Sequence, residues 1–231
     1  MANRVAIVTG GTGALGQAIV LRLMKDGARV AVPYAVPAEQ EALLARVAPA
    51  DRGRLMTEAV DVADLAPMTA FTDRVAAASG GVHVLVAAVG GFAGGGLLET
   101  DHALWERMLR LNLTSAFSAA SAALPHLIRS GSGRLVLVAS RAVLPPVGGF
   151  LAYTVAKAGV VALAQALAHE TRAQGVTVNA VAPSTMDTPA NRAAMPDADR
   201  SGWVPVDAVA DAIAFLGGEG AAHVSGAVLT I

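Results

Sequence analysis

The sequence predicts an α/β fold, a doubly wound parallel sheet of about seven strands with helices on both faces. Three observations carry that expectation. Short runs of Val, Ile, Leu and Ala alternate with longer amphipathic runs along all 231 residues. The short runs are almost continuously apolar, as strands buried on both faces must be. A glycine-rich turn, Thr9 to Gly16, joins the first short run to the first long one. A βαβαβ rhythm with right-handed crossovers leaves helices on both sides of the sheet.

The expected strands span residues 5–9, 29–33, 54–59, 82–88, 134–140, 177–182 and 227–230. The expected helices cover 14–26, 38–48, 64–79, 101–130, 150–174 and 206–217. No linker, repeat or low-complexity tract divides the chain, so residues 1–231 read as a single domain. The most irregular stretch, 183–205, is rich in prolines and polar residues. Its length marks it as a lid or substrate loop rather than a routine connection.

Composition and charge exclude several classes. With 17 basic and 18 acidic residues, the formal net charge of −1 offers no footprint for nucleic acid or anionic lipid. The absence of cysteine excludes a disulfide scaffold, a thiol nucleophile and a cysteine–zinc site. Together with a start that lacks a signal-peptide pattern, it points to the cytoplasm. The five histidines (83, 102, 126, 169 and 223) show no HExxH spacing, so no metal site is expected. No Gly-x-Ser-x-Gly elbow supports serine hydrolase chemistry. The longest uncharged run, 75–98, is interrupted by glycines at 80, 81, 90, 91, 94, 95 and 96. It reads as a buried strand and a loop, not a membrane span.

In TGGTGALG, glycines permit a tight turn and a close approach to phosphate, and the following helix N-terminus faces negative charge. Gly10, Thr12, Gly13, Ala14, Leu15 and Gly16 are therefore candidate nucleotide-binding positions. No Lys-Ser/Thr pair follows as in a P-loop, and the spacing reads Thr-Gly-x-x-x-Ala-x-Gly. At the end of the second strand, an NAD site places an acid against the ribose 2′-hydroxyl. Tyr34 stands there, and Ala35 offers no base to a 2′-phosphate. The missing acid tilts the expectation slightly towards NADP(H). Asp61, followed by Val62, is a candidate partner for the adenine amino group, with Asp64 the better helix cap.

YTVAK places Tyr153 and Lys157 on one helix face. A phenol ionises near pKa 10, so a tyrosine base at pH 7 needs a shift of about 3 units, or about 4 kcal/mol. An ammonium roughly 4 Å away at an effective dielectric near 20 supplies about that much. Lysine is rare here, 2 against 15 arginines, which makes a compact point charge at this position informative. Ser140 ends the fifth strand, where a hydroxyl can polarise a carbonyl oxygen. Asn112 interrupts a strongly helical stretch, where it can break the helix and hold a water.

Together these residues resemble the short-chain dehydrogenases/reductases, whose fold is Rossmann-like, over essentially the whole chain. The match runs through Thr9, Gly10, Ala14 and Gly16, then Asp61, then Asn112, Ser140, Tyr153 and Lys157. NAVAPS (179–184) is similar to the family's Asn-x-x-x-Pro-Gly segment. The resemblance implies hydride transfer between C4 of a bound nicotinamide and a carbonyl or alcohol carbon. By it Tyr153 is general acid or base, Lys157 lowers its pKa and holds the nicotinamide ribose, Ser140 polarises the carbonyl, and Asn112 holds a relay water. Ala88 and Gly90 would lie along NAD(P)(H), and Pro183, Met186 and Thr188 would orient its nicotinamide. The chain departs from the family at Ala87-Ala88-Val89-Gly90, where Asn-Asn-Ala-Gly is usual, and at Ser184. Loss of those side chains puts sheet-stabilising hydrogen bonds in doubt.

MDTPANRAAMPDADRSGW and AAVGGFAGG are also similar to quinoid dihydropteridine reductases. Those enzymes lack a serine at 140 and carry an acid at 34. A pterin reductase and a cofactor-binding scaffold without turnover stand as alternatives to an oxidoreductase acting on a small carbonyl or alcohol. Phe92, Met186, Met195 and Trp203 are candidates for an apolar pocket under the loop. Helices 101–130 and 150–174 are rich in small residues, which suits close packing between copies, and the resemblance implies a dimer or tetramer.

Overall fold

The computed structural model describes residues 1–231. Its sheet has the order β3-β2-β1-β4-β5-β6-β9, and every pairing is parallel. The strands are β1 (Val5–Thr9), β2 (Arg29–Tyr34), β3 (Leu55–Ala59), β4 (Val84–Ala87), β5 (Arg134–Val138), β6 (Thr177–Ala182) and β9 (Val228–Thr230). A separate two-stranded piece pairs β7 (Met186–Asp187) with β8 (Val204–Pro205). The helices are α1 (Ala14–Lys25), α2 (Pro37–Arg46), α3 (Leu65–Ser79), α4 (His102–Leu109), α5 (Ser115–Arg129), α6 (Leu151–Thr171), α7 (Pro189–Ala194) and α8 (Val206–Gly217).

Two apolar layers sandwich the sheet. Met68, Phe71 and Val75 of α3 pack with alanines of α5 and α6 against one face. Ile19 and Leu23 of α1, Leu43 of α2 and Ile213 of α8 cover the other. Burial of β1, β4, β5 and β6 is complete along their lengths, which explains their mostly apolar sequence, with Thr9, Arg134, Thr177 and Asn179 as buried polar residues. From β1 the chain winds outward through β2 and β3, then returns to β4 on the other side of β1. That reversal opens a crevice at the carboxyl ends of β1 and β4.

Several expected boundaries shift for physical reasons. The uncharged run 75–98 divides among α3, β4 and the loop after it. The expected helix 101–130 is broken by a π-helical turn, Arg110–Thr114, around Asn112. Strand β5 stops at Val138, so Ser140 lies two residues beyond it rather than at its end. The irregular stretch after β6 contains α7 and the β7–β8 pair. The segment Leu151–Gln174 is long and apolar enough to cross a bilayer by composition, and within the fold α6 packs against β5 and β6.

The Ala87-Ala88 departure leaves a trace in the sheet. Thr9 pairs in register with Ala87, is 1% exposed, and its Oγ1 has no hydrogen-bond partner. A buried unpaired hydroxyl costs stability that an apolar replacement does not. Thr9→Val is expected to leave unfolding free energy unchanged or to raise it by up to about 1 kcal/mol in urea titrations. A loss larger than that would show that the hydroxyl has a partner after all.

Candidate active site

The site is built at the carboxyl ends of β1, β4 and β5. In the glycine turn, Gly10 has φ of +69°, and a Cβ on it would lie 2.8 Å from the carbonyl of Ala88. A Cβ on Gly16 would lie 1.9 Å from the Gly10 oxygen. Both positions admit glycine alone, and they press the turn against the end of β4. Gly13 precedes α1, and no side chain caps that helix. Its first amide groups therefore stay available to an anion. Ala14 and Leu15 form the first residues of α1.

A cleft of about 460 Å³ runs from this turn along the ends of β2 and β4. It brings together Gly10, Thr12, Gly13, Tyr34, Asp61, Val62, Ala88 and Gly90 from the sequence candidates. Asp61 does not stand alone there: Arg110 Nη2 donates to its Oδ2 at 2.6 Å, and the Ala63 amide donates to Oδ1 at 2.9 Å. Asp64 caps α3 by accepting from Ala66 N at 3.3 Å. The cleft also holds Glu39, which sequence reasoning missed. Thr12 Oγ1 donates to Glu39 Oε2 at 3.0 Å. Glu39 is an acidic group on the same wall as Tyr34, contributed by α2 rather than by the end of β2.

Tyr153 and Lys157 sit one turn apart on α6. Lys157 is 5% exposed, and its Nζ donates to the Val138 carbonyl at 2.8 Å. Burial lowers its pKa to about 8. Burial raises the Tyr153 phenol above its ordinary value, and the neighbouring Ser140 hydroxyl offsets that only in part. The lysine is engaged with a backbone carbonyl, and desolvation is the larger influence on the tyrosine. Ser140 is itself buried and also accepts from Ala142 N at 3.3 Å.

Asn112 is bonded inside the protein: its Oδ1 accepts from Gly91 N, and its Nδ2 donates to the carbonyls of Gly91 and Met108, all at 3.1 Å. Both amide hydrogens are thus used, and the side chain clamps the loop at Gly91. A Cβ on Gly90 would lie 2.8 Å from Asn112 Oδ1 and 3.0 Å from Lys157 Nζ. Glycine at 90 is what lets these two side chains share that space.

An aromatic niche flanks the phenol. Phe92 meets Tyr153 edge-on with centroids 5.1 Å apart, and Phe150 lies 5.4 Å from Phe92. Phe150 was not foreseen, because only the fold brings it beside Phe92. The other pocket candidates go elsewhere. Trp203 lies under the Arg200 guanidinium at 5.7 Å, Met195 ends α7 at the surface, and Met186 packs towards the α1–α8 core. Pro183, Met186 and Thr188 do not line the 460 Å³ cleft. The Pro183 carbonyl accepts from Arg141 N at 3.0 Å, and Thr188 caps α7 by accepting from Asn191 N at 3.2 Å.

Comparison with known proteins adds independent support. A cis-4-hydroxycyclohexanecarboxylate dehydrogenase from Sinomonas cyclohexanicum is 37% identical, covering 100% of this chain and 95% of the relative. A D-threitol dehydrogenase from Mycolicibacterium smegmatis is 32% identical, covering 99% of this chain and 91% of that protein. A crystal structure of a Burkholderia xenovorans protein assigned to the short-chain dehydrogenases/reductases superposes with a TM-score of 0.89 at 29% identity, covering 100% of this chain and 95% of that one. The family model for short chain dehydrogenases matches residues 4–199. With a parallel sheet, a side-chain-free glycine turn and a Ser140–Tyr153–Lys157 cluster at its carboxyl edge, the chain belongs to the short-chain dehydrogenase family.

Proposed function

We propose that this chain is an NAD(P)(H)-dependent oxidoreductase that interconverts a secondary alcohol and its carbonyl, with Tyr153 as general acid and base. The observation that carries the reading is the Tyr153 phenol one helical turn from a buried Lys157, with the Ser140 hydroxyl beside it at the carboxyl edge of the sheet. A binding scaffold has no use for a lysine whose burial lowers its pKa to about 8. The pterin alternative gains no support here, because Ser140 is present beside the phenol.

The cleft fits a dinucleotide: its turn excludes Cβ atoms at Gly10 and Gly16, and its helix N-terminus is uncapped. Gly10 to Gly16 would hold the pyrophosphate side, Tyr34, Asp61 and Val62 the adenosine, and Ala88, Gly90 and Lys157 the nicotinamide side. Pro183, Met186 and Thr188, in the substrate loop 183–205, would border the nicotinamide. When bound, the cofactor supplies or accepts a hydride. The protein handles the proton. A phenol held protonated by burial donates to the substrate oxygen during reduction, and Ser140 can hydrogen-bond the same oxygen. Lys157 places a positive charge behind the phenol at neutral pH. Asn112 positions the loop that Gly90 and Gly91 belong to.

The Phe92–Phe150 niche supports a ring-bearing substrate. The Sinomonas relative's name specifies a hydroxycyclohexane acid, and we propose a small cyclic alcohol or ketone for this chain. Self-association would cover exposed Phe117 of α5 and Val155 of α6, giving a cytoplasmic dimer or tetramer.

Tyr153→Phe is expected to retain nucleotide binding while turnover of a cyclic secondary alcohol falls by a factor of about 10² or more. Unchanged turnover would remove the phenol from the chemistry.

Lysine titration offers a second test, because only Lys25 and Lys157 are present. With ¹³Cε-lysine labelling, the signal lost in Lys157→Met is expected to titrate near pH 8. The unfolded value is about 10.4, so between these values the unfolded chain binds the additional proton. Below that window both states are protonated and the burial penalty is complete. It fades, and stability rises, as pH increases through the window. Titration above pH 10 would contradict the buried environment.

Light scattering at micromolar concentration is expected to give at least a dimer. A monomer would leave the outer faces of α5 and α6 without the proposed partner.

A further inference from the structure

The cleft carries a selector for one form of the nucleotide, and it is not at the position where the sequence invites a search. We propose that Glu39, in the first turn of α2, makes this protein select NAD(H) over NADP(H). The proposal rests on the dinucleotide reading of the cleft.

The wall that follows β2 contains Pro33, Tyr34, Ala35 and Val36, none of which bears a charge. The chain then turns into α2, whose third residue is Glu39. Its amide donates to the Val36 carbonyl at 3.2 Å, which fixes the backbone at the rim. Its carboxylate reaches back across the cleft to the glycine turn, where Thr12 Oγ1 donates to Oε2. Thr12 is 5% exposed, and its own carbonyl accepts from Gln17 Nε2 at 2.8 Å. One oxygen of this exposed carboxylate is therefore hydrogen-bonded to an ordered part of the turn.

Glu39 Oε1 has no partner within the protein and can accept from a ribose hydroxyl. A 2′-phosphate in the same place brings two further negative charges towards an anion whose other oxygen is engaged by Thr12. Glu39 takes part in none of the chain's ion pairs, so no arginine offsets its charge. The nearest cation along α2, Arg46, donates to Gln17 Oε1 at 2.9 Å. The other cations lining the cleft are Arg107 and Arg110, and Arg110 is held by Asp61 at 2.6 Å. Arg107 is thus the one free positive group with which a phosphate could pair.

Dissociation constants for NADH and NADPH, measured on the full chain by nucleotide fluorescence and calorimetry, test this without any substrate. The native protein is expected to bind NADH at least about tenfold more tightly than NADPH. Glu39→Gln is expected to narrow the gap chiefly by tightening NADPH. Thr12→Val, which releases the carboxylate without removing its charge, is expected to narrow it partially. Equal or tighter NADPH binding by the native chain, or an unchanged ratio in Glu39→Gln, overturns the proposal. A preference for NADPH that disappears in Arg107→Ala would overturn it in favour of the opposite wall. If neither nucleotide binds, the dinucleotide reading falls first and the selector falls with it. If both bind equally, only the selector falls.

Discussion

An ammonium group buried at the carboxyl edge of a parallel sheet is the constraint around which this end of the molecule is arranged. Lys157 is 5% exposed, and its one hydrogen bond within the protein goes to the Val138 carbonyl. Such a group needs room, a compensating dipole and rigid neighbours. The room exists because residue 90 has no side chain. The dipole comes from the last residue of β5. Rigidity comes from Asn112, whose amide grips the backbone at Gly91 and Met108. Three positions far apart in sequence thus form a single packing solution. The π-helical turn between α4 and α5 belongs to it, since a widened turn is a common way to aim one side chain out of a regular helix.

Burial acts on the tyrosine and the lysine in opposite numerical directions but with the same chemical result. It raises the phenol and lowers the amine, favouring the neutral form of each. The amine nevertheless remains mostly charged at neutral pH, because a pKa of about 8 lies above it. The phenol stays protonated. Before any substrate arrives, the site therefore holds a transferable proton beside a hydroxyl, with a positive charge in reserve. That state suits proton donation to a carbonyl oxygen. Alcohol oxidation needs the phenolate, which alkaline pH or a closer ammonium would favour.

What could be read from the sequence was whatever is carried by short spacing. The glycine turn, the Tyr153–Lys157 interval and the alternation of apolar runs are local, and the fold follows from them. The missed features depend on tertiary approach. Glu39 meets Thr12 only because α2 returns towards the glycine turn, and no spacing rule connects positions 12 and 39. Phe150 joins Phe92 across a loop, whereas Trp203 finds a cation instead of the pocket. The burial of the Tyr153 phenol is likewise a tertiary property that a helical interval does not fix.

The loss of polar side chains after β4 is better understood as a transfer of labour than as damage. Ala87-Ala88-Val89-Gly90-Gly91 has no side chain able to hydrogen-bond. The segment is held through its backbone instead. Ala88 N donates to the Thr9 carbonyl at 3.1 Å, and Gly91 exchanges both of its backbone groups with Asn112. Thr9 Oγ1, left without a partner, marks the price of the change. The gain is space: small residues at 88 and 90 line the cleft and leave its floor as bare backbone. Asn112 thus has a structural task of its own. Its carboxamide substitutes for the missing side chains of the neighbouring loop, and in doing so keeps Gly90 beneath the lysine.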